Sequence, residues 1–209
     1  MNCILNPLKK GLIGTFILAS GISFGQDAGG HKQELPLSVS LTNHSWAFPF
    51  SQVLRMGPIY PGASVETAYY YRNKEKLDLL QTAQIGGFYN SSSGSALYFN
   101  SDFQIKYTAN FGLTADLGLG LGYLHSFYPS TTHVQTESGT YETTNKAGVG
   151  ALSANISMGL GYDLSKKTNL NICPFIRYQW IGSTAYWSLL NIRPNGLLHL
   201  GVQFKPFNQ

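Results

Sequence analysis

Asn43-His44-Ser45-Trp46 sets a histidine directly beside a serine, the two side chains that supply a base and a nucleophile in acyl hydrolysis. Neighbouring residues of a strand point to opposite faces, so His44 and Ser45 can cooperate only if a turn brings them together. A second candidate is a pair of acids. If residues 108–110 form a three-residue hairpin loop, with Asn110 taking the positive φ such loops require, Asp102 lies beside Asp116 on the adjacent strand. Bare carboxylates that close repel unless Lys106 or Arg177 stands between them. The pair then reads either as acid/base chemistry or as part of a structural polar network. His125 and His133 fall in or beside one loop with no cysteine or carboxylate at ligand spacing, so no metal site is assigned. Gly118, Gly120 and Gly122 match neither phosphate-binding glycine pattern. No catalytic residue and no cofactor is therefore assigned.

The strict two-residue spacing of those glycines points instead to a strand. Leu117, Leu119, Leu121 and Tyr123 share one face, with Asp116 and the glycines on the other. The same separation recurs over residues 97–107 and 152–162, and in weaker form over 35–42, 170–180 and 196–204. Residues 64–72 and 77–89 complete a set of eight segments. Several match the ~9–11 residues with which a tilted strand crosses a bilayer. Pro174 cannot donate to a ladder, so a bulge or an unpaired position is expected there. Leu79 and Leu80 are consecutive and cannot both face outward.

Composition supports an apolar outer face. Charged residues make up 11% of the 209-residue chain, with 13% aromatics and 23 glycines, against ~25% charged in an ordinary globular protein. Mean hydropathy is nonetheless −0.07, and beyond the N-terminus no apolar run approaches the ~18 residues of a membrane helix. A transmembrane β-barrel reconciles the two, because only alternate residues meet lipid. The expected fold is all-β: an eight-stranded antiparallel up-and-down transmembrane barrel over residues 26–209. Residues 1–25 read as a cleaved signal peptide: Lys9 and Lys10, an apolar stretch over 11–22, and small Ser23 and Gly25 before the cut. The mature chain keeps one cysteine, Cys173, so it can form no internal disulfide. Lysine and arginine nowhere cluster among aromatics, which gives nucleic-acid binding no support.

Short polar turns at 73–76, 108–110 and 165–169 alternate with generally longer joins at 43–63, 90–95, 126–148 and 181–195. That asymmetry is the one outer-membrane barrels show, turns in the periplasm and loops outside. Tyr107, Tyr123, Tyr162, Tyr178 and Trp180 fall near strand ends on the apolar face, as an interfacial girdle would.

An eight-stranded barrel is only wide enough to be filled by its own side chains. The inward polar set is Glu66, Gln84, Asp102, Gln104, Lys106, Asp116, Asn155, Arg177, Gln179, His199 and Gln203. Buried charges must be paired, so a cross-strand network is expected in place of an open pore. The first long loop, with Trp46, Phe48 and Phe50, is unusually apolar; it reads equally as a self-packed lid or as a contact surface.

The residues "ISFGQ", the repeated "GLGY" at 120–123 and 159–162, "PFIRYQ" at 174–179 and "LHLGVQF" at 198–204 carry a resemblance. The chain resembles small eight-stranded outer-membrane proteins of the OmpA-domain, OmpX and OmpW type, and is most similar to uncharacterised outer-membrane barrels of the Bacteroidota. That resemblance implies a bacterial outer-membrane protein of the cell envelope, porin-like in architecture, with a structural, binding or accessory-subunit role. Its partners would be outer-membrane lipid and, as a candidate, another outer-membrane protein. Such barrels commonly end in a phenylalanine read by the insertion machinery; here Phe207 is followed by Asn208 and Gln209, and Phe204 is the alternative. Some outer-membrane barrels are lipid A deacylases using a histidine and a serine separated by one residue so that both face the same way, whereas His44 and Ser45 are adjacent. A soluble periplasmic lipocalin-like binder is the third reading, and it would put the apolar faces inside.

Overall fold

The computed structural model describes residues 35–45, 59–74, 76–91, 94–127, 132–135, 141–144, 148–168, 170–184 and 192–205. The signal-peptide expectation and the loop residues Trp46, Phe48 and Phe50 lie outside these.

Alternation becomes strand throughout. The elements are β1 (Leu37–Ser45), β2 (Pro61–Arg72), β3 (Leu77–Phe88), β4 (Ser95–Thr108), β5 (Leu113–Phe127), β6 (Thr132–Gln135), β7 (Tyr141–Thr144), β8 (Val149–Tyr162), a 3-10 turn (Leu164–Lys166), β9 (Ile172–Thr184) and β10 (Ile192–Phe204). Eight strands close an antiparallel barrel in the order β1-β10-β9-β8-β5-β4-β3-β2, while β6 and β7 pair separately as a two-stranded sheet. That hairpin lies in the loop between β5 and β8 and carries no alternation strong enough to mark it in the sequence.

Sidedness follows the leucine–glycine pattern. Leu117, Leu119 and Leu121 are 53%, 61% and 73% exposed on the outer wall. The intervening glycines face inward: a Cβ on Gly118 would meet Gln104 and Ser157, one on Gly120 would meet Asp102 and Asn155, and one on Gly122 would meet Asn100. Polar side chains of β4 and β8 thus lie over a β5 surface that has none of its own, which is how a narrow lumen accommodates them.

Three local features differ from, or resolve, the expectations above. The β4–β5 turn occupies residues 109–112, closed by the Gly112 N–H on the Ala109 carbonyl and the Ala109 N–H on Leu113. A positive φ, expected from the sequence at Asn110, is found at Gly112, where it is 100°. Glycine reaches that region without a Cβ penalty. The register consequently sets Asp102 opposite Gly120 and Asp116 opposite Lys106. The expected Asp102–Asp116 pair is therefore wrong by four residues, about 13 Å of strand.

The Leu79–Leu80 ambiguity is settled by burial: Leu80 points into the lumen at 2% exposure, and β2 and β3 shift register between Tyr70 and Arg72. At Pro174 an unpaired position is used. The β8–β9 ladder ends at Gly161 opposite Phe175, while the β9–β10 ladder runs on through Pro174 opposite Val202 to Ile172 opposite Phe204.

Candidate functional site

The lumen is layered along the barrel axis, and each layer follows from which strand positions face in. At the loop end the interior is apolar: Phe88, Ala96, Tyr98, Leu124, Ile181 and Leu197 form one buried cluster. His44 completes it, its ring stacked on Phe88 at 3.9 Å between centroids with planes 5° apart. The Asn90 amide donates to His44 Nδ1, and Asn195 Oδ1 accepts from Nε2, both at 3.1 Å. This pairing assigns the ring proton to Nε2. An all-polar interior was the sequence expectation, and it omitted this layer.

Below it runs a belt of hydrogen bonds. Gln84 Nε2 donates to Ser64 Oγ at 3.4 Å, the Ser64 and Ser40 hydroxyls are 2.7 Å apart, Ser40 Oγ is 3.1 Å from His199 Nδ1, and His199 Nε2 is 3.0 Å from Gln179 Oε1. These five residues sit on β3, β2, β1, β10 and β9, which are consecutive around the barrel. The belt therefore staples the wall across the β1–β10 closure. Ser40 and Ser64 were missed at the sequence level because small hydroxyls on an alternating face look like filler.

The next layer holds the charges. Arg177 Nη1 donates to Glu66 Oε2 at 2.6 Å, and Arg177 Nε donates to Asp116 Oδ1 at 3.1 Å. All three side chains are at least nine-tenths buried. The planar guanidinium fork can serve two carboxylates at once, and Gly159 provides the room for Asp116, since a Cβ there would crowd its carboxylate. Nearer the turn end, Lys106 Nζ donates to Gln203 Oε1 at 2.8 Å, from β4 to β10.

Asp102, Gln104 and Asn155 occupy the opposite wall with Asn100 and Ser157. All five are buried, and each carries a polar atom with no protein partner. Buried polar groups of this kind are ordinarily satisfied by ordered water. The eleven expected lumen residues all face inward, but they fall into two groups. Glu66, Gln84, Asp116, Arg177, Gln179, His199, Lys106 and Gln203 are tied across strands, whereas Asp102, Gln104 and Asn155 line the glycine-backed wall.

His44 and Ser45 are consecutive on β1 and face opposite sides. His44 is 1% exposed in the lumen with both ring nitrogens engaged, so the arrangement does not assemble a base on a nucleophile. Among the described residues no group of three histidine, cysteine or acidic side chains is placed to hold a metal.

At the turn end Asp163 ties the barrel rim together. Its carboxylate accepts from the Ser165 N–H at 3.1 Å and the Ser165 hydroxyl at 2.6 Å, and from the Lys205 ammonium. Burial works to raise the Asp163 pKa, but the Lys205 and Ser165 interactions outweigh it and hold the carboxyl below its ordinary value.

No protein-family model matches the chain, and no curated protein matches it. Solved structures do. Neisserial surface protein A is 11% identical, covering 86% of this chain and 100% of its own, with a TM-score of 0.51. The attachment invasion locus protein of Yersinia pestis is 13% identical over 83% of this chain and 97% of its own, at 0.44. The N-terminal β-barrel domain of Pseudomonas aeruginosa OprF is 14% identical over 84% of this chain and 100% of its own, at 0.43. At 11% identity the likeness to the Neisserial protein is one of fold, the small closed barrel of eight antiparallel strands.

Proposed function

We propose that this chain is an integral protein of the bacterial outer membrane, exported through a signal peptide cut after Gly25, with a lumen closed by its own side chains. Its role is structural, binding or accessory. The observation that carries the reading is the inversion of an ordinary globular protein: leucines, phenylalanines and tyrosines exposed around the outer wall, and Glu66, Arg177, His199 and their neighbours buried within. In water such a wall would be an aggregation surface; in hydrocarbon it is solvated, and closure leaves no unpaired backbone edge.

A soluble lipocalin-like binder requires the opposite arrangement. The lipid A deacylase alternative needs a histidine and a serine on one face, and His44 and Ser45 diverge. Trp46, Phe48 and Phe50 remain the candidate surface for another outer-membrane protein. The test is fractionation with gel mobility of unheated against boiled samples. A folded barrel in the outer-membrane fraction migrates differently before and after boiling; recovery in the soluble periplasm overturns the reading.

A further inference from the structure

On the outer wall, at the turn end of β8, β9 and β10, lies an apolar groove of about 700 Å³. Leu160 and Tyr162 border it on β8, Pro174 and Ile176 lie at its centre, and Leu200 and Val202 border it on β10. Its origin is Pro174. The β8–β9 ladder stops one residue short of it, and its compact ring stands where neighbouring outward positions carry isoleucine, leucine and tyrosine.

The groove ends at positive charge. Lys166 and Lys167, at the end of the 3-10 turn after β8, are exposed, and Lys167 Nζ sits 5.3 Å from the centroid of the Tyr162 ring that lines the groove. Lys205, at the end of β10, is already matched by Asp163. Among the described residues Lys166 and Lys167 form no ion pair. An apolar trough along the strands, with the Lys167 ammonium over its Tyr162 ring and a second exposed lysine beside it in the chain, complements a molecule with a hydrocarbon chain and an anionic head.

We propose that this groove holds an acyl chain of one anionic glycerophospholipid from the leaflet at the turn end, with its phosphate against Lys166 and Lys167. The proposal rests on the membrane reading above. Basic residues at a membrane surface attract anionic lipid. An uncharged apolar peptide segment would fill the trough but give the two lysines no counter-charge.

The test uses the full chain, expressed in an outer membrane and purified in mild detergent, with native mass spectrometry during titration by phosphatidylglycerol or phosphatidylcholine. One tight phosphatidylglycerol adduct is expected, with phosphatidylcholine held about tenfold more weakly. Lys166→Gln with Lys167→Gln should weaken the phosphatidylglycerol adduct by roughly fivefold per lysine, and Val202→Trp, which fills the groove, should weaken both lipids. Equal retention of the two lipids, or an unchanged adduct in the double lysine variant, overturns the proposal. If the protein shows the boiling-dependent mobility shift yet no lipid preference, only this inference fails; if the shift is absent, the membrane reading fails with it. The lysines are exposed turn residues, so their variants report on binding even where Val202→Trp does not fold.

Discussion

Arg177 and Glu66 meet at 2.6 Å across the lumen, although their strands β9 and β2 are separated around the wall by β10 and β1. With Asp116 on the other side of the same guanidinium, one arginine braces three strands that are not neighbours. Arg177→Met leaves two buried carboxylates without their cation, and the expected loss is about 3–5 kcal/mol of unfolding free energy. Replacing all three together with Leu, Leu and Met removes the charges as well as the partner and should cost far less. Urea unfolding of the refolded barrel in detergent measures both; equal losses would mean the ion cluster is not what the variants perturb.

The β5 glycines make an opposite prediction for adjacent positions. Gly120→Val drives a branched side chain into Asp102, Asn155 and the Ser101 carbonyl, and should destabilise by about 1–3 kcal/mol or more. Leu119, exposed at 61% on the outer wall, should tolerate alanine, whereas Leu119→Arg should cost about 2–4 kcal/mol in a bilayer. A scan of residues 117–122 by the same unfolding assay should alternate in what it forbids: bulk at the glycines, charge at the leucines.

Asp163 predicts a pH dependence at the rim. Its folded pKa lies below the ordinary value, so its stabilising effect is fully present above the unfolded carboxyl pKa of about 4. It is lost as pH falls from there through the depressed folded pKa. Unfolding midpoints should therefore fall across that acid window, and Asp163→Asn should flatten this part of the profile while lowering stability at neutral pH. A profile unchanged by Asp163→Asn would remove the carboxylate from the account.

Cys173 is 2% exposed and faces Thr114 from inside the wall. A polar maleimide should leave it unlabelled in the folded barrel and label it fully after boiling in detergent, and mass spectrometry reads the difference directly. Fast labelling of the native protein would mean that the turn end of the lumen admits solvent.

How much of this was legible in the sequence depended on the length scale of the physics involved. Which face of each strand meets which environment is a local property, and Leu117 to Tyr123 display it openly. Register is not local. It turned on the β4–β5 turn, where Gly112 takes the left-handed conformation and Asp102 ends opposite Gly120. Asp116 reaches Arg177 through the β5–β8 and β8–β9 registers, in which both lie opposite Gly159. The apolar layer left a trace that alternation counting passes over. Tyr98, Leu124, Ile181 and Leu197 each adjoin another large apolar residue, Leu97, Tyr123, Trp180 and Leu198, so both faces are greasy at that level of the barrel. The Ser40–His199 contact spans 159 residues and depends on β1 lying beside β10, which no single segment announces.

That neighbourhood has a consequence for how the chain matures. Leu37 pairs with Phe204, so the first strand waits for the last to be synthesised before it finds its partner on that side. Such distant pairing is slow, and until it occurs two bare strand margins are open to pairing with other chains. A chain cut before Ile192, and so without the thirteen residues of β10, would keep seven of its eight wall strands and remain an open, sticky sheet.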